Sequence, residues 1–292
     1  MSTIALSTIA FGWDCTARRA MQFALDHEIF GVEFGSPTFW PDNMSDDEKL
    51  FVRESAASNE ISLSIHHIHR GVAPASHDSD RRAKHLAELE ATLNLAYQIG
   101  ARPIVLHPGP VDAPRIDIDN PPESVRLEAL KHLTDFVSNA EKTARETGTV
   151  ICLENLVHTP GNVVLSYQEL ADIVESVNSP AVRITLDTGH AHLSDGISEA
   201  FEVFGSNVRH IHMHDSDGKV DHFEVGEGEI DLESVKSQLS DFRFTLALET
   251  QRSDDGEAGT LRSRDRLKRL LGDSTREAVK NPNGELPVKI RS

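Results

Sequence analysis

Asp187 and His190 stand three residues apart in the stretch Thr185-Leu-Asp-Thr-Gly-His-Ala-His192, directly after the apolar and β-branched residues Val182, Ile184 and Leu186. The spacing predicts a strand that ends at the aspartate, with Gly189 letting the backbone turn tightly. A carboxylate and an imidazole released together at a strand end can hold a metal ion. The same residues also have a structural reading, since Asp is a preferred helix N-cap and a loop histidine can simply be hydrogen-bonded.

Recurrence separates the two readings. Other apolar runs end in the same way, in His66 and His67 with His69 beyond, in His107 before Pro108-Gly109, in Glu154-Asn155, in His210, His212 and His214 before Asp215, and in Glu249. Six successive runs that each deliver His, Asp or Glu are hard to explain structurally, because a buried carboxylate is costly unless paired or metal-bound. Imidazoles mixed with carboxylates, without thiolates, suit Mn²⁺, Zn²⁺, Co²⁺ or Fe²⁺. Cys152, two residues before Glu154, reads as packing and not as a ligand. His210, His212 and His214 share one strand face by their period of two. His212 falls nearest the level of the carboxylates and is the expected ligand; His214 is expected to hydrogen-bond to the ligand set rather than to join it.

The elements that must position these residues alternate regularly. Strand-like runs are expected at 4–11, 31–35, 63–68, 103–109, 150–155, 182–186, 208–214 and 244–250. Helix-like stretches follow at 16–27, from Ser45 with Glu48 as a capping box, at 79–99 closed by Gly100, up to Gly148, and at 166–177, 197–204, 232–239 and 260–271. Eight strand–helix units without a linker point to a single-domain α/β protein, a (β/α)₈ TIM barrel over 1–272. In such a barrel the carboxyl ends of all strands converge on one face. An open doubly wound sheet is the alternative, but the first strand-to-helix turn, Phe11-Gly-Trp-Asp-Cys-Thr, lacks the dinucleotide glycine pattern. Residues 273–292 read as a polar C-terminal tail that wraps the barrel or is partly disordered.

Composition narrows the function classes. The 292 residues carry a formal charge of −18, with acidic stretches such as 42–48, 117–123 and 254–257 and no basic patch, which argues against nucleic acid as a partner. No apolar run reaches membrane-spanning length, no basic leader precedes the first strand, and there are two cysteines, Cys15 and Cys152. The expectation is a cytoplasmic protein with no membrane partner, for which a homo-oligomer is left open.

The residues resemble the xylose-isomerase-like TIM barrels, a superfamily of sugar-phosphate isomerases and epimerases, inosose dehydratases and the endonuclease IV type of apurinic endonuclease. The matching pieces are Val105-Leu-His-Pro-Gly109, Leu153-Glu-Asn155, Leu186-Asp-Thr-Gly-His190, His212-Met-His-Asp-Ser216, His222-Phe-Glu-Val-Gly-Glu-Gly228 and Leu248-Glu-Thr250. Each is short, but they occur in family order on successive strands, to about Leu271. The resemblance implies a divalent metal held by Glu154, Asp187, His212 and Glu249, with Mn²⁺ the first expectation and Zn²⁺, Co²⁺ or Mg²⁺ as alternatives. In the ketose epimerases the two glutamates are also the acid/base pair, one removing a proton beside the carbonyl and the other returning it from the opposite side. The residue matching His190 binds substrate.

The resemblance to the endonuclease branch implies further ions, one at His66 and His107 and another at His190 and His222. That branch has an Asp two residues before the second of these; here the position is Val220, with Asp221 adjacent, so the third metal site is in question. In a single-metal enzyme His66, His107, His190 and His222 would instead bind substrate hydroxyls or phosphate. Trp40, with Phe39, is a candidate for a sugar's apolar face or for a lid over the core. Lys219 and Arg252 are candidates for a phosphate or ordinary solvated charges. The leading expectation is a metal-dependent isomerase or epimerase of a small sugar, polyol or sugar phosphate. The alternatives are a multi-metal phosphodiester hydrolase of the endonuclease IV type and a metal-binding protein without catalysis.

Overall fold

The computed structural model describes residues 1–275 except residues 13 and 36–38, and of residue 273 the backbone alone. Eight parallel strands close into a barrel in sequence order: β1 (Thr3–Ser7), β2 (Gly31–Phe34), β3 (Ser62–His66), β4 (Pro103–Leu106), β5 (Val150–Glu154), β6 (Val182–Asp187), β7 (Val208–Met213) and β8 (Thr245–Leu248), with β8 pairing back onto β1. Around it among the described residues run α1 (Ala17–Asp26), α2 (Asp46–Ser58), α3 (Ser79–Ile99), α4 (Glu123–Thr147), α5 (Tyr167–Val177), α6 (Thr188–His192), α7 (Ile197–Phe204), α8 (Lys236–Asp241) and α9 (Gly256–Leu271). The expected (β/α)₈ barrel is the fold. No helix among the described residues is long and apolar enough to cross a membrane. From residue 276, the expected tail lies outside the described residues.

Local chemistry sets the helix ends. Ser45 and Glu48 form the reciprocal capping box at the start of α2. Asp78 accepts from the backbone N–H groups of Asp80 and Arg81 and opens α3, and Gly100 closes it in the left-handed region at φ 82°. Three expectations shift. β1 stops at Ser7, and Thr8–Phe11 form a 3₁₀ turn. The stretch expected as a helix at 232–239 starts as a 3₁₀ turn, Leu232–Val235, before α8. α9 starts four residues earlier than expected, capped by Asp255. Its Gly256 reads as loop in sequence, yet a Cβ there would stand 1.8 Å from the Ala10 carbonyl oxygen, so close packing selects the glycine.

Large apolar side chains such as Leu6, Phe34, Ile104 and Ile151 fill the layer between barrel and helices. The inner wall is different. Register neighbours on adjacent strands point the same way, and the in-register residues Ser7, Glu33 and Ser64, then Thr185 and His210, are small or polar, while Val105 pairs with Cys152 between them. TIM-barrel interiors are ordinarily packed with Val, Ile and Leu. Cys152 is fully buried in this wall, and burial pushes its thiol up to about 12, in keeping with a packing role.

On the outside, Arg126 of α4 is buried and reaches Glu123 at 2.7 Å, Glu169 of α5 at 2.9 Å and the Val163 carbonyl at 2.9 Å. Arg126→Met keeps much of the stem but strands the carbonyl and Glu169. It is expected to cost about 1–3 kcal/mol, read as a lower urea midpoint at unchanged slope. A loss under about 0.5 kcal/mol, the range of ordinary surface substitutions, would count against this account.

Candidate metal centre

Glu154 and Asp187 are the last residues of β5 and β6, His212 lies in register with Asp187 on β7, and Glu249 follows β8. Glu154 pairs with Thr185 and His212 with Ala247, each two residues short of the next ligand candidate, and the four side chains still meet at His212. The Nδ1 of His212 stands 3.2 Å from Glu154 Oε1, 3.4 Å from Glu249 Oε2 and 3.6 Å from Asp187 Oδ2. All four side chains are buried. Two atoms that each lie about 2.1 Å from a shared metal stand roughly 3.0–3.4 Å apart, a range that holds the Glu154 and Glu249 distances, with Asp187 slightly beyond it. Glu249 Oε1 is buried without a hydrogen-bond partner, as a ligand atom for a cation would be, while Glu154 Oε2 lies 2.9 Å from His107 Nε2.

The electrostatics agree. Burial pushes Glu249 up to about 8; His212 offsets this in part, while Glu33, Glu154 and Asp187 add to it. Burial also opposes ionisation of Glu154 and Asp187, but imidazoles outweigh it, chiefly His107 and His212 for the first and His190 and His214 for the second, and both stay well below the usual carboxylate range. His212 resists protonation through burial, yet Glu249, Glu154 and Glu33 hold it well above the usual imidazole range. Carboxylates crowded around one imidazole repel each other, and a divalent cation relieves that repulsion.

Asp187 both caps and faces the centre. Its Oδ1 accepts the backbone N–H of His190 at 2.7 Å, opening the single-turn helix α6, and Oδ2 lies 2.8 Å from His214 Nε2. The His222 N–H donates to His214 Nδ1, so the ring proton sits on Nε2 and points at Asp187. His214 thus supports Asp187 from behind, as the sequence suggests.

Gly189 has a different reason from the expected tight turn. It lies within α6, and a Cβ there would stand 2.1 Å from Cε1 and 2.5 Å from Nδ1 of His214. Gly189→Ala is expected to drive His214 off Asp187 and to weaken divalent-metal binding about 10–100-fold, measurable by competition with a chelating dye. Unchanged affinity in a folded variant would refute the packing argument.

The surrounding histidines share one device. The Nδ1 atoms of His66, His190 and His222 lie 2.8, 3.0 and 3.1 Å from the carbonyls of His67, Asn155 and Glu249. A carbonyl only accepts, so Nδ1 carries the proton and Nε2 is turned into the cavity. His107 Nε2 lies 2.9 Å from Glu154 Oε2 and 3.2 Å from His66 Nε2. Burial, reinforced by His107, holds His66 down to about 3; burial, reinforced by His214, holds His222 down to about 4. His190 is the exception: burial works against its charge, but Asp187 and Glu154 raise it to about 10. Asp221, one residue from the expected place, still lies 3.6 Å from His190 Nε2.

These groups line a cavity of about 230 Å³ together with Ile9, His69, Arg70 and Gln251. Trp40 lines an adjoining apolar cavity of about 340 Å³ and packs edge-on against His67. His67 itself turns outward to Thr92 of α3. Lys219 is exposed and is not among the cavity-lining residues. Arg252 is exposed too, and its guanidinium donates to the Asp221 carbonyl, fastening the loop that carries His222. Arg70 also stands at the cavity wall; sequence reasoning passed over it and Gln251, and named His69 only as lying beyond the strand end.

Sequence reasoning also missed Glu33. It is fully buried on β2 and reaches His210 at 2.7 Å, Ser64 at 3.1 Å and His212 at 3.3 Å. Its signal was a lone carboxylate inside Gly31-Val-Glu-Phe-Gly35, a run otherwise without a polar residue.

A closed parallel barrel with carboxylates and imidazoles gathered at the strands' C-terminal ends defines a (β/α)₈ protein with groups that can hold a metal. Within that class the chain belongs to the xylose isomerase-like TIM barrel family, whose model matches residues 21–270. A probable endonuclease 4 of Malacoplasma penetrans is 28% identical over 164 residues, 51% of this chain and 53% of that protein. Two solved structures share the fold: a D-tagatose 3-epimerase-like protein (TM-score 0.74, 23% identity, 92% of this chain and 97% of that one) and an IolI protein with a bound zinc atom (TM-score 0.76, 18% identity, 93% and 99%).

Proposed function

We propose that this chain is a divalent-metal-dependent isomerase or epimerase of a small sugar, polyol or sugar phosphate. The observation that carries it is the convergence of Glu154, Asp187 and Glu249 on Nδ1 of His212 beside a cavity sized for one small molecule. Glu154, Asp187, His212 and Glu249 hold the ion, with Mn²⁺ proposed and Zn²⁺, Co²⁺ or Mg²⁺ as alternatives; the zinc-bearing IolI relative supports a divalent metal. When bound, the ion supplies Lewis acidity that makes the hydrogen beside a substrate carbonyl removable. One of Glu154 and Glu249 takes that proton to give an enediolate, and the other returns one to the opposite face. The Nε2 atoms of His66, His190 and His222, with His107, orient the hydroxyls, and Arg70 is better placed than Lys219 or Arg252 for a phosphate. The epimerase-like neighbour supports this reading.

A second reading rests on a specific arrangement. His66, His69 and His107 form one group of potential ligand atoms within 4.8 Å, and His190, Asp221 and His222 form another. With the endonuclease 4 relative, they support a two- or three-metal phosphodiester hydrolase. Elemental analysis of the purified protein, followed by a ketose screen and an abasic-DNA cleavage assay, separates the two. One ion per chain with sugar turnover is expected. Two or three zinc ions with DNA cleavage would replace the proposal by the second reading.

A further inference from the structure

Glu33 sits in the middle of β2, where it faces β7 across the barrel interior. An apolar residue would fill such a position without cost, whereas a buried carboxylate needs a reason. Its Oε2 accepts the Ser64 hydroxyl at 3.1 Å and stands 2.7 Å from His210 Nε2, so that oxygen is occupied. Its Oε1 has no hydrogen bond, and neither has His212 Nε2, yet these two buried atoms face each other at 3.3 Å. The opposite nitrogen of the same ring, Nδ1, faces Glu154, Asp187 and Glu249.

We infer that Glu33 is a positioning residue for the metal centre: its Oε1 accepts the Nε2–H of His212 and so leaves the Nδ1 lone pair for the ion that the three carboxylates would share. The inference rests on the metal reading above. An imidazole can carry its proton on either nitrogen, and only one of the two tautomers can ligate through Nδ1. A carboxylate behind Nε2 selects that tautomer, fixes the ring plane and raises the basicity of the ligating nitrogen. Ser64 and His210 hold Glu33 in turn, so the support chain runs from β3 and β7 through β2 to the ligand. Glu33 touches neither substrate nor metal in this account; it acts through His212.

The test is Zn²⁺ affinity of the full chain, measured by competition with a chelating dye for wild type, Glu33→Gln and Glu33→Asp. Glu33→Gln is expected to weaken Zn²⁺ binding about 10–100-fold while far-UV circular dichroism and the metal-free melting temperature stay near wild type. Glu33→Asp, which keeps the charge on a shorter stem, should recover part of the loss. A merely structural Glu33 would move the melting temperature and leave affinity alone, so Zn²⁺ binding within twofold of wild type in folded Glu33→Gln overturns the inference. If wild type itself binds no divalent metal, the metal reading fails, which is a distinguishable result. Should the variants not fold, ¹⁵N-histidine spectra of the zinc-loaded wild type decide, with His212 assigned by its loss in His212→Asn. A proton on Nε2 and zinc on Nδ1 are expected; zinc on Nε2 overturns the inference.

Discussion

Glu154→Gln is expected to lower turnover of a responsive ketose by about 10³-fold, and Glu249→Gln by a similar factor, at saturating metal. Gln keeps the shape and a ligating oxygen but cannot take a proton. Glu154 has no exposed route to a substitute base: it is buried, with His107, His190 and His212 around it. Metal content must be measured in the same samples, so that lost ligation and lost proton transfer are not confused. Running the reaction in D₂O adds a second readout. If the two glutamates serve opposite faces, one variant should still wash deuterium into the carbon beside the carbonyl without inverting it. Turnover within tenfold of wild type in both variants, with metal bound, would remove the glutamates from the chemistry.

Stripping the metal is expected to abolish activity and to lower the melting temperature by roughly 5–10 °C relative to protein with free metal at about a hundred times its dissociation constant. That concentration stabilises by about 2.7 kcal/mol, and a domain of this size moves roughly 2–4 °C per kcal/mol. The physical cause is the burial of Glu249 among Glu33, Glu154 and Asp187, which together push its carboxyl up to about 8. Without the cation the barrel mouth holds mutually repelling carboxylates partly offset by His212. Scanning calorimetry with chelator, then with Mn²⁺, Zn²⁺, Co²⁺ or Mg²⁺ restored singly, checks the effect and ranks the ions. An unmoved transition and undiminished activity in protein shown to be metal-free would defeat the metal-dependent function.

The fold was legible because each strand is a short apolar run punctuated by capping residues such as Ser45 and Asp78. The rim of the centre was legible because strand ends are where polarity changes abruptly, at Glu154, Asp187 and Glu249. Three kinds of feature were not. α6 is five residues long, too short for a helical period to show, and it contains Gly189. Gly189 and Gly256 are selected by neighbours distant in sequence, His214 and Ala10, which no local rule reports. Glu33 faces partners on β3 and β7, so its meaning depends on barrel closure. Lys219 and Arg252 show the converse: charge near a motif says nothing about direction, and neither side chain lines the cavity.

The Glu33–His210 contact joins residues 177 positions apart in the chain. Its consequence concerns synthesis on the ribosome. When β1 to β4 have emerged, the interior carboxylate of β2 has Ser64 nearby but neither imidazole. A half-barrel that closed over it would bury an ionised group with too few partners, which is strongly unfavourable. The nascent amino-terminal half is therefore expected to stay open, or to close only with that carboxylate protonated, until β7 arrives. The polar inner wall thus makes the barrel a single cooperative unit, one that halves expressed separately should rebuild only when both are present.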